Sequence, residues 1–209
     1  EVSQGMEALR ERTGDTSFYP SKSAPSEVSY TDEDGNQHSK ALTYEERQDY
    51  LRDRGAVALT TLSSMMGSSA YKRANDTTKT ELLDLCNDYA SQRAKKTILG
   101  GDSVPAWVNN AETAQNDLGV SPAEYLALYH QYGAGIMSGT AYEKTKQAVA
   151  AGLTVQQYVD MKNGLDANGN GSVSQAEARA YLDQQDYSRE QKSDLWHIIN
   201  KSWKKNPYA

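Results

Sequence analysis

One cysteine, one phenylalanine, three histidines and five prolines are all that 209 residues hold of these types. A lone thiol, Cys86, excludes an internal disulfide framework and a cysteine-built zinc cage. Leu, Ile, Val and Phe together make up about 15 % of the chain, and no apolar run exceeds a few residues. A helix able to cross a bilayer needs about 20 such residues in a row, so no membrane span is expected. Positive charge is also short. The chain carries 22 Lys+Arg against 28 Asp+Glu, a net charge of −6, which argues against a strongly basic nucleic-acid binder. No G-x-S-x-G, P-loop, H-E-x-x-H or dinucleotide fingerprint occurs. What remains is 14 Tyr, 5 Met, 3 Trp and many Ala, enough for a folded helical protein with a modest core. The first residue is Glu1 rather than Met, which reads as a piece of a longer protein.

Residues 1–13 carry helix formers with Met6 and Leu9 on one side, and 14–27 read as a loop rich in Ser, Thr and Pro. From Val28 to Leu42, Val28 and Tyr30 alternate with polar residues before Asp34-Gly35, a hairpin signal. Thr43 and Glu46 form a capping box that opens a long helix to about Met66. Tyr50, Val57 and Leu62 lie on its apolar side, and Gly67-Ser68-Ser69 breaks it. A second long helix is expected over 76–98, with Leu82, Leu85, Cys86 and Tyr89 on one face and Gly100-Gly101 at its end. Residues 101–119 read as a connector with room for a short helix, so the expected division is 1–100, 101–119 and 120–209.

The C-terminal part repeats itself. Val120-Ser121…Glu124-Tyr125, Leu153-Thr154…Gln157-Tyr158 and, more weakly, Tyr187-Ser188…Gln191 are spaced by 33 and 34 residues. Each is an apolar residue, a hydroxyl cap and a Glu or Gln three positions later. Thr140…Glu143 and Ser174…Glu177 form a second set offset by 34. Tandem helix–loop–helix units over 121–150 and 154–183, then a helix over 188–203, are the expectation.

Between two of these helices lies Asp166-Ala-Asn-Gly-Asn-Gly-Ser-Val-Ser-Gln-Ala-Glu177. It meets every position of D-x-[DN]-x-[DN]-G-x5-E. Asp166, Asn168 and Asn170 occupy positions 1, 3 and 5, and Gly171 stands where the chain must turn sharply. Ser172 would give its backbone carbonyl, Ser174 would act directly or through water, and Glu177 would bind with both oxygens. Every donor is oxygen, which suits Ca²⁺ and fits zinc or copper badly. Only two ligands are charged, which places affinity at the weak end, roughly 10⁻⁵ to 10⁻³ M. The competing reading is a helix–helix turn without metal, because Asp, Asn, Gly and Ser favour turns and Ser174…Glu177 is a capping box in its own right.

The loop resembles an EF-hand, and 121–183 resembles an EF-hand pair whose first member has lost its ligands. That member's loop would run from Tyr132 to Glu143, with Tyr132, Ala134 and Ile136 at ligand positions. It should bind no calcium, and would serve to pair a short strand with Ser172-Val173-Ser174. Val173 stands where EF-hands carry the apolar residue that pairs their loops. The likeness to dockerin modules is weaker, since those carry two ligand-bearing copies. A second resemblance rests on the 166–177 loop followed by Leu195-Trp196 and Asn200-Lys-Ser-Trp203-Lys-Lys-Asn-Pro-Tyr208, and on the N-terminal order of helix, Tyr19-Pro20, Asp34-Gly35 strand, Leu42-Thr43, long helix, Tyr71 and Ala90 to Lys96. These are similar to regions of very large proteins encoded by phages and integrated elements of Gram-positive gut bacteria. The resemblance implies a non-catalytic segment whose partners are other parts of a parent protein or virion proteins, with no specific nucleic acid.

Other residues carry less. Cys86, beside Leu85, reads as a buried inert thiol. His130 lies on a Tyr-rich helix, His197 follows Trp196, and His38 is near the hairpin turn. Asp32-Glu33-Asp34 reads as a local acidic turn, with a second metal site as the lesser reading. Tyr125, Leu128, Tyr129, Tyr132 and Ile136 read as core packing. Lys201, Lys204 and Lys205 beside Trp203 read as a solvated helix end closed by Asn206-Pro207. The expected fold is mainly α: a helical N-terminal unit with one small hairpin, then an EF-hand-like pair and a C-terminal helix. The expected function is a structural or interaction segment with one weak calcium site. A calcium-responsive module, for which Met137 and Met161 are few, and an accessory region of a multidomain enzyme are the alternatives.

Overall fold

The structure is a computed structural model and describes residues 24–209. The helix expected over 1–13 and most of the loop after it lie outside the described residues. The chain is mainly helical with one two-stranded antiparallel hairpin, and it parts into two compact units, one up to Gly133 and one from Ala134 to Ala209. The division therefore falls after the expected connector rather than within it.

In the first unit, β1 (Glu27–Thr31) pairs with β2 (Gln37–Ala41), with Glu27 opposite Ala41 and Thr31 opposite Gln37. One side chain organises the turn. The Asp32 carboxylate accepts from the amides of Asp34 (3.0 Å) and Asn36 (2.8 Å), from the Asn36 side chain (3.3 Å), and lies 2.6 Å from His38 Nε2. The His38 contact, helped by the Asn36 amide, pulls the Asp32 carboxyl down to about 2. Helix α1 (Tyr44–Gly67) starts at the expected capping box, with Thr43 Oγ1 accepting from the Glu46 amide and Glu46 Oε1 from the Thr43 amide, each at 3.2 Å. The one-turn α2 (Ser69–Arg73) follows the break. Asn75 caps α3 (Asp76–Leu99), which Gly100 ends at φ 95.

Helices α1 and α3 pack against each other, and both bury small residues. Ala58 on α1 and Cys86, Ala90 and Ala94 on α3 have no exposed surface, and Leu62, Met65, Leu83 and Tyr89 are buried as well. The hairpin docks here too, since Val28, Leu42, Tyr50 and Ala94 form one cluster lined by Ile98 and Leu99. Leu85 and Val57, expected on the apolar faces, are only half buried, and Leu83 is buried instead.

The expected connector contains α4 (Ala106–Leu118), which begins after Pro105 and ends at Gly119 in the left-handed region. It buries Val108, Ala111, Ala114 and Leu118, a stripe made half of alanine, and packs on α5 (Pro122–Tyr132) and α3. Helix α5 in turn packs on α1 and α3. The entering helix of the expected first EF-hand thus belongs to the first unit. Its aromatic residues join a row that runs Tyr89–Trp107–Tyr129–Tyr125, with ring centroids 6.5, 5.7 and 6.3 Å apart.

The second unit holds α6 (Ala134–Met137), α7 (Gly139–Ala150), α8 (Val155–Gly164), α9 (Gln175–Asp183) and α10 (Arg189–Ile199). Capping boxes start α8, α9 and α10 at Thr154/Gln157, Ser174/Glu177 and Ser188/Gln191, as expected. The expected box at Thr140/Glu143 is not there. Helix α7 starts at Gly139, one residue before Thr140, and its cap residue Ser138 makes no side-chain cap bond. Met137, Tyr142, Met161, Leu182, Leu195 and Trp196 form the largest buried side chains.

Helix α10 stops at Ile199, not 203, and the last ten residues fold back over it. Trp196 Nε1 donates to the Lys205 carbonyl (2.9 Å), and Asn206 Nδ2 to Ser193 Oγ (2.9 Å). Arg189 donates to the carbonyls of Tyr208 and Ala209 (3.0 and 2.8 Å). The Tyr208 hydroxyl donates to Asp183 Oδ1 at 2.7 Å, at the end of α9. Trp203 stands 4.7 Å from Trp196, centroid to centroid. A helix continuing past Asn200 would forfeit all of these bonds.

Leu62→Ala should lower the unfolding free energy by about 2–5 kcal/mol, as read by urea denaturation, because Leu62 is buried and its truncation leaves a void in the core. A loss under ~1 kcal/mol would mean the α1–α3 contact is not tightly packed. The hairpin should weaken only in strong acid. The folded Asp32 value lies below the ordinary carboxylate value of about 4. Its contribution is therefore full above that pH and is lost as pH falls through about 2. NMR titration of the Asp32 carboxyl carbon and the His38 ring checks this.

Candidate metal centre

Helix α8 ends at Gly164, and α9 begins at Gln175, so the chain between them is the one continuous loop that the 166–177 pattern predicts. Both flanks are anchored. Met161 and Leu165 are buried on the entering side, and Ala178 and Leu182 on the exiting side. A Cβ added at Gly164 would meet the Tyr181 ring at 2.7 Å. That glycine lets the Tyr181 ring of α9 lie against the end of α8, which brings the loop's two ends together. The sequence reading missed this pair, although a glycine in the last turn before a loop was its signal.

Within the loop, five of the six predicted residues, all but Ser172, turn side-chain oxygens toward the backbone amides they enclose. Asp166 Oδ1 accepts from the Asn170 amide (3.1 Å) and Oδ2 from the Gly171 amide (2.7 Å). Asn168 Oδ1 also accepts from the Asn170 amide (3.1 Å). Asn170 Oδ1 accepts from the Ser172 amide (3.0 Å) and hydroxyl (3.1 Å). Ser174 Oγ accepts from the Glu177 amide (3.1 Å). Glu177 holds both ends: Oε1 accepts from the Ser174 amide (3.1 Å), and Oε2 reaches across to the Asn168 amide (3.3 Å). The Ser174 amide above all, with the Ser174 hydroxyl and the amides of Asn168 and Ala167, lowers the Glu177 carboxyl from its ordinary value. Gly169 and Gly171 take positive φ of 70 and 83, the conformations that let the backbone curl inside the side chains.

Two carboxylates are thus folded over one short stretch of backbone. Neither Asp166 nor Glu177 pairs with a lysine or arginine among the described residues. Each oxygen accepts one or two bonds, and a carboxylate oxygen has room for more. The donor set is wholly oxygen: two carboxylates, two amide oxygens and two serines. This fits a hard cation such as Ca²⁺ and gives nothing to a soft one. Among the described residues no group of three or more His, Cys, Asp and Glu is gathered for a metal, and the loop would rely on neutral oxygens for most of its ligands.

The partner loop expected over 132–143 is different in kind. Residues 134–137 are helix α6, Glu143 lies in α7 paired with Lys146 (2.8 Å), and among the described residues β1 and β2 are the only strands. No strand pairs with Ser172–Ser174, and Val173 is half buried. Alanine, glycine and isoleucine at 134–136 let that stretch coil into a helical turn, with Thr145 Oγ1 donating to the Ile136 carbonyl at 2.9 Å.

The remaining candidates are accounted for by packing. The Cys86 thiol is buried, lies 3.9 Å from the Thr61 carbonyl, and is pushed up to about 12 by burial. His130 does not approach it; its Nε2 lies 2.7 Å from Glu81 Oε2. His197 is exposed, with Nε2 3.2 Å from Asn206 Nδ2. Both oxygens of Asp32 are engaged by its own turn and His38, so the Asp32–Asp34 run shapes a hairpin. Lys201, Lys204 and Lys205 lie beyond the end of α10, in the folded-back tail rather than on a helix end.

Comparison with protein-family models, with curated proteins and with solved structures gives no match. No described helix is long and apolar enough to cross a membrane.

Gly171→Ala should destabilise the second unit by roughly 1–2 kcal/mol, the cost of a Cβ in the left-handed region. An added Cβ meets nothing within 4 Å there, so the backbone term stands alone. Urea unfolding followed by Trp emission reads it, and an unchanged midpoint would show that the curled loop is not held in the folded protein.

Proposed function

We propose that this chain is a non-catalytic structural and interaction segment of a larger, phage-type protein, with one weak structural Ca²⁺ site in its second unit. The observation that carries the reading is the pair of carboxylates, Asp166 and Glu177, that close on the same loop backbone without a lysine or arginine beside them. A bound Ca²⁺ would supply the missing positive charge. Asp166, Asn168, Asn170, Ser172, Ser174 and Glu177 are the residues that would hold it. Asp166 and Glu177 bracket the loop, and Glu177 also opens α9. Tightening them would fix α9 against the end of α8, where Tyr181 already lies on Gly164. Few charges suit a clamp in calcium-rich surroundings rather than a cytosolic sensor, and sensors open a Met-rich groove on binding. The reading assigns no catalytic residue.

Thermal melting of the chelator-stripped chain, titrated with Ca²⁺ against Mg²⁺, tests it. Binding to the folded state alone raises stability by about 2.7 kcal/mol at a hundredfold excess over the dissociation constant. A calcium-selective rise saturating toward millimolar is expected. Asp166→Asn should remove the rise while keeping an oxygen for the Asn170 amide, and Glu143→Gln should change nothing. No rise by ~10 mM, above the weakest EF-hand range, would leave a turn without metal.

A further inference from the structure

We propose that the cleft between α7 and α10 docks an acidic, aliphatic segment of another protein. The cleft holds about 780 Å³ and lies wholly within the second unit. Thr140, Lys144 and Gln147 form one wall, from a single side of α7; Ile198, Ile199 and Lys201 form the other, where α10 gives way to the tail. Its surface is mostly apolar, with Ile198 and Ile199 half buried on the α10 wall. Lys144 and Lys201 are exposed, and among the described residues neither makes a hydrogen bond or ion pair. The one carboxylate on the lining, Glu143, is held by Lys146 on the same helix, at 2.8 Å.

Charge complementarity selects the occupant. Residues 134–209 carry 9 Lys+Arg against 8 Asp+Glu, a net charge of +1, while the whole chain carries −6, so this unit lacks the acidic excess of the rest of the chain and Lys144 and Lys201 stand unneutralised at this rim. Two cations at the rim of a cleft with an aliphatic wall suit two carboxylates flanking an aliphatic side chain. From Thr140 to Gln147 the helix rises about 10 Å, the length of three to four extended residues. That sets the size of the segment the cleft can hold. The inference rests on the interaction half of the proposed function and names the partner's chemistry; it does not depend on calcium.

The test uses the full chain and two dye-labelled hexapeptides, one alternating Glu and Leu and one alternating Lys and Leu, read by fluorescence polarisation in chelator and again with Ca²⁺. Saturable binding of the Glu–Leu peptide is expected, at least tenfold tighter than the Lys–Leu peptide and weakening with salt, as rim charges do. Lys144→Glu with Lys201→Glu should cost tenfold or more, with the circular dichroism spectrum unchanged because both side chains are exposed. Equal binding of the two peptides, indifference to the double variant, or no binding up to about 1 mM would overturn the proposal. Displacement by inorganic phosphate at matched charge would overturn it in favour of a free anion, and binding to phosphatidylglycerol vesicles without peptide binding in favour of a lipid surface. Loss of calcium-dependent melting with peptide binding intact would sink the calcium site alone; the reverse would sink the cleft alone.

Discussion

Packing of α1 against α3 is the interaction on which the first unit depends. With few branched aliphatics available, the long helices α1 and α3 cannot be held apart by layers of Leu and Ile. They pack against each other and bury Ala58, Cys86, Ala90 and Ala94, all with no exposed surface. Alanine gives up little side-chain entropy on burial, so a thin core costs less to order than its small area suggests. Larger volumes come from Tyr50, Tyr89, Leu62, Leu83 and Met65 around that seam. The same economy repeats in α4, where Ala111 and Ala114 sit between Val108 and Leu118. Trp107 and the tyrosines beside it carry the bulk that aliphatics carry elsewhere.

The second unit solves the same shortage with polar ties at its helix ends. Capping boxes start α8, α9 and α10, and each satisfies two backbone amides that would otherwise lack partners. Thr145, although fully buried, has two carbonyls, of Ile136 and Ala141, to accept its one hydroxyl proton. The tail then adds hydrogen bonds to α9 and α10 through Tyr208, Asn206 and the carbonyls accepting from Arg189 and Trp196. Burial, with the Asp183 carboxylate beside it, raises the Tyr208 hydroxyl to about 12, so it stays a donor throughout the neutral range. Gln191 serves twice, capping α10 and donating to the Ala151 carbonyl (3.1 Å).

The 166–177 loop belongs to this pattern and exceeds it. Ser174 and Glu177 alone account for a helix start. They do not account for Asp166 reaching the Asn170 and Gly171 amides, or for Glu177 reaching back to Asn168. A turn needing only closure could use one such bond. Here two carboxylates close on one short backbone span, and neither pairs with a lysine or arginine among the described residues. Mutual repulsion opposes that arrangement, and the backbone amides offset it only in part. That leftover charge is the physical ground for proposing a cation.

Local chemistry settled much of this protein before any folding. Hydroxyl caps and glycines act within four residues, so the starts of α1, α8, α9 and α10, the end of α3 and the hairpin at Asp34-Gly35 could be read directly. The oxygen-only donor set of the loop was legible for the same reason, since its ligands are consecutive in sequence. What needed the tertiary structure was every feature set by partners far apart in the chain. Residues 101–119 read as a connector with a short helix at most, and only the fold shows that Val108, Ala111, Ala114 and Leu118 are buried where α4 packs on α3 and α5. Thr140/Glu143 matched a cap pattern, yet the helix starts two residues earlier, after Ser138, with Met137 and Tyr142 buried on either side of that start. The tail looked helical through Trp203, but bonds from Trp196 and Arg189, 9 and 20 residues away from their acceptors, outweighed the helix's own. Spacing reveals what a residue can do to its neighbours; only the fold decides which distant groups compete for it.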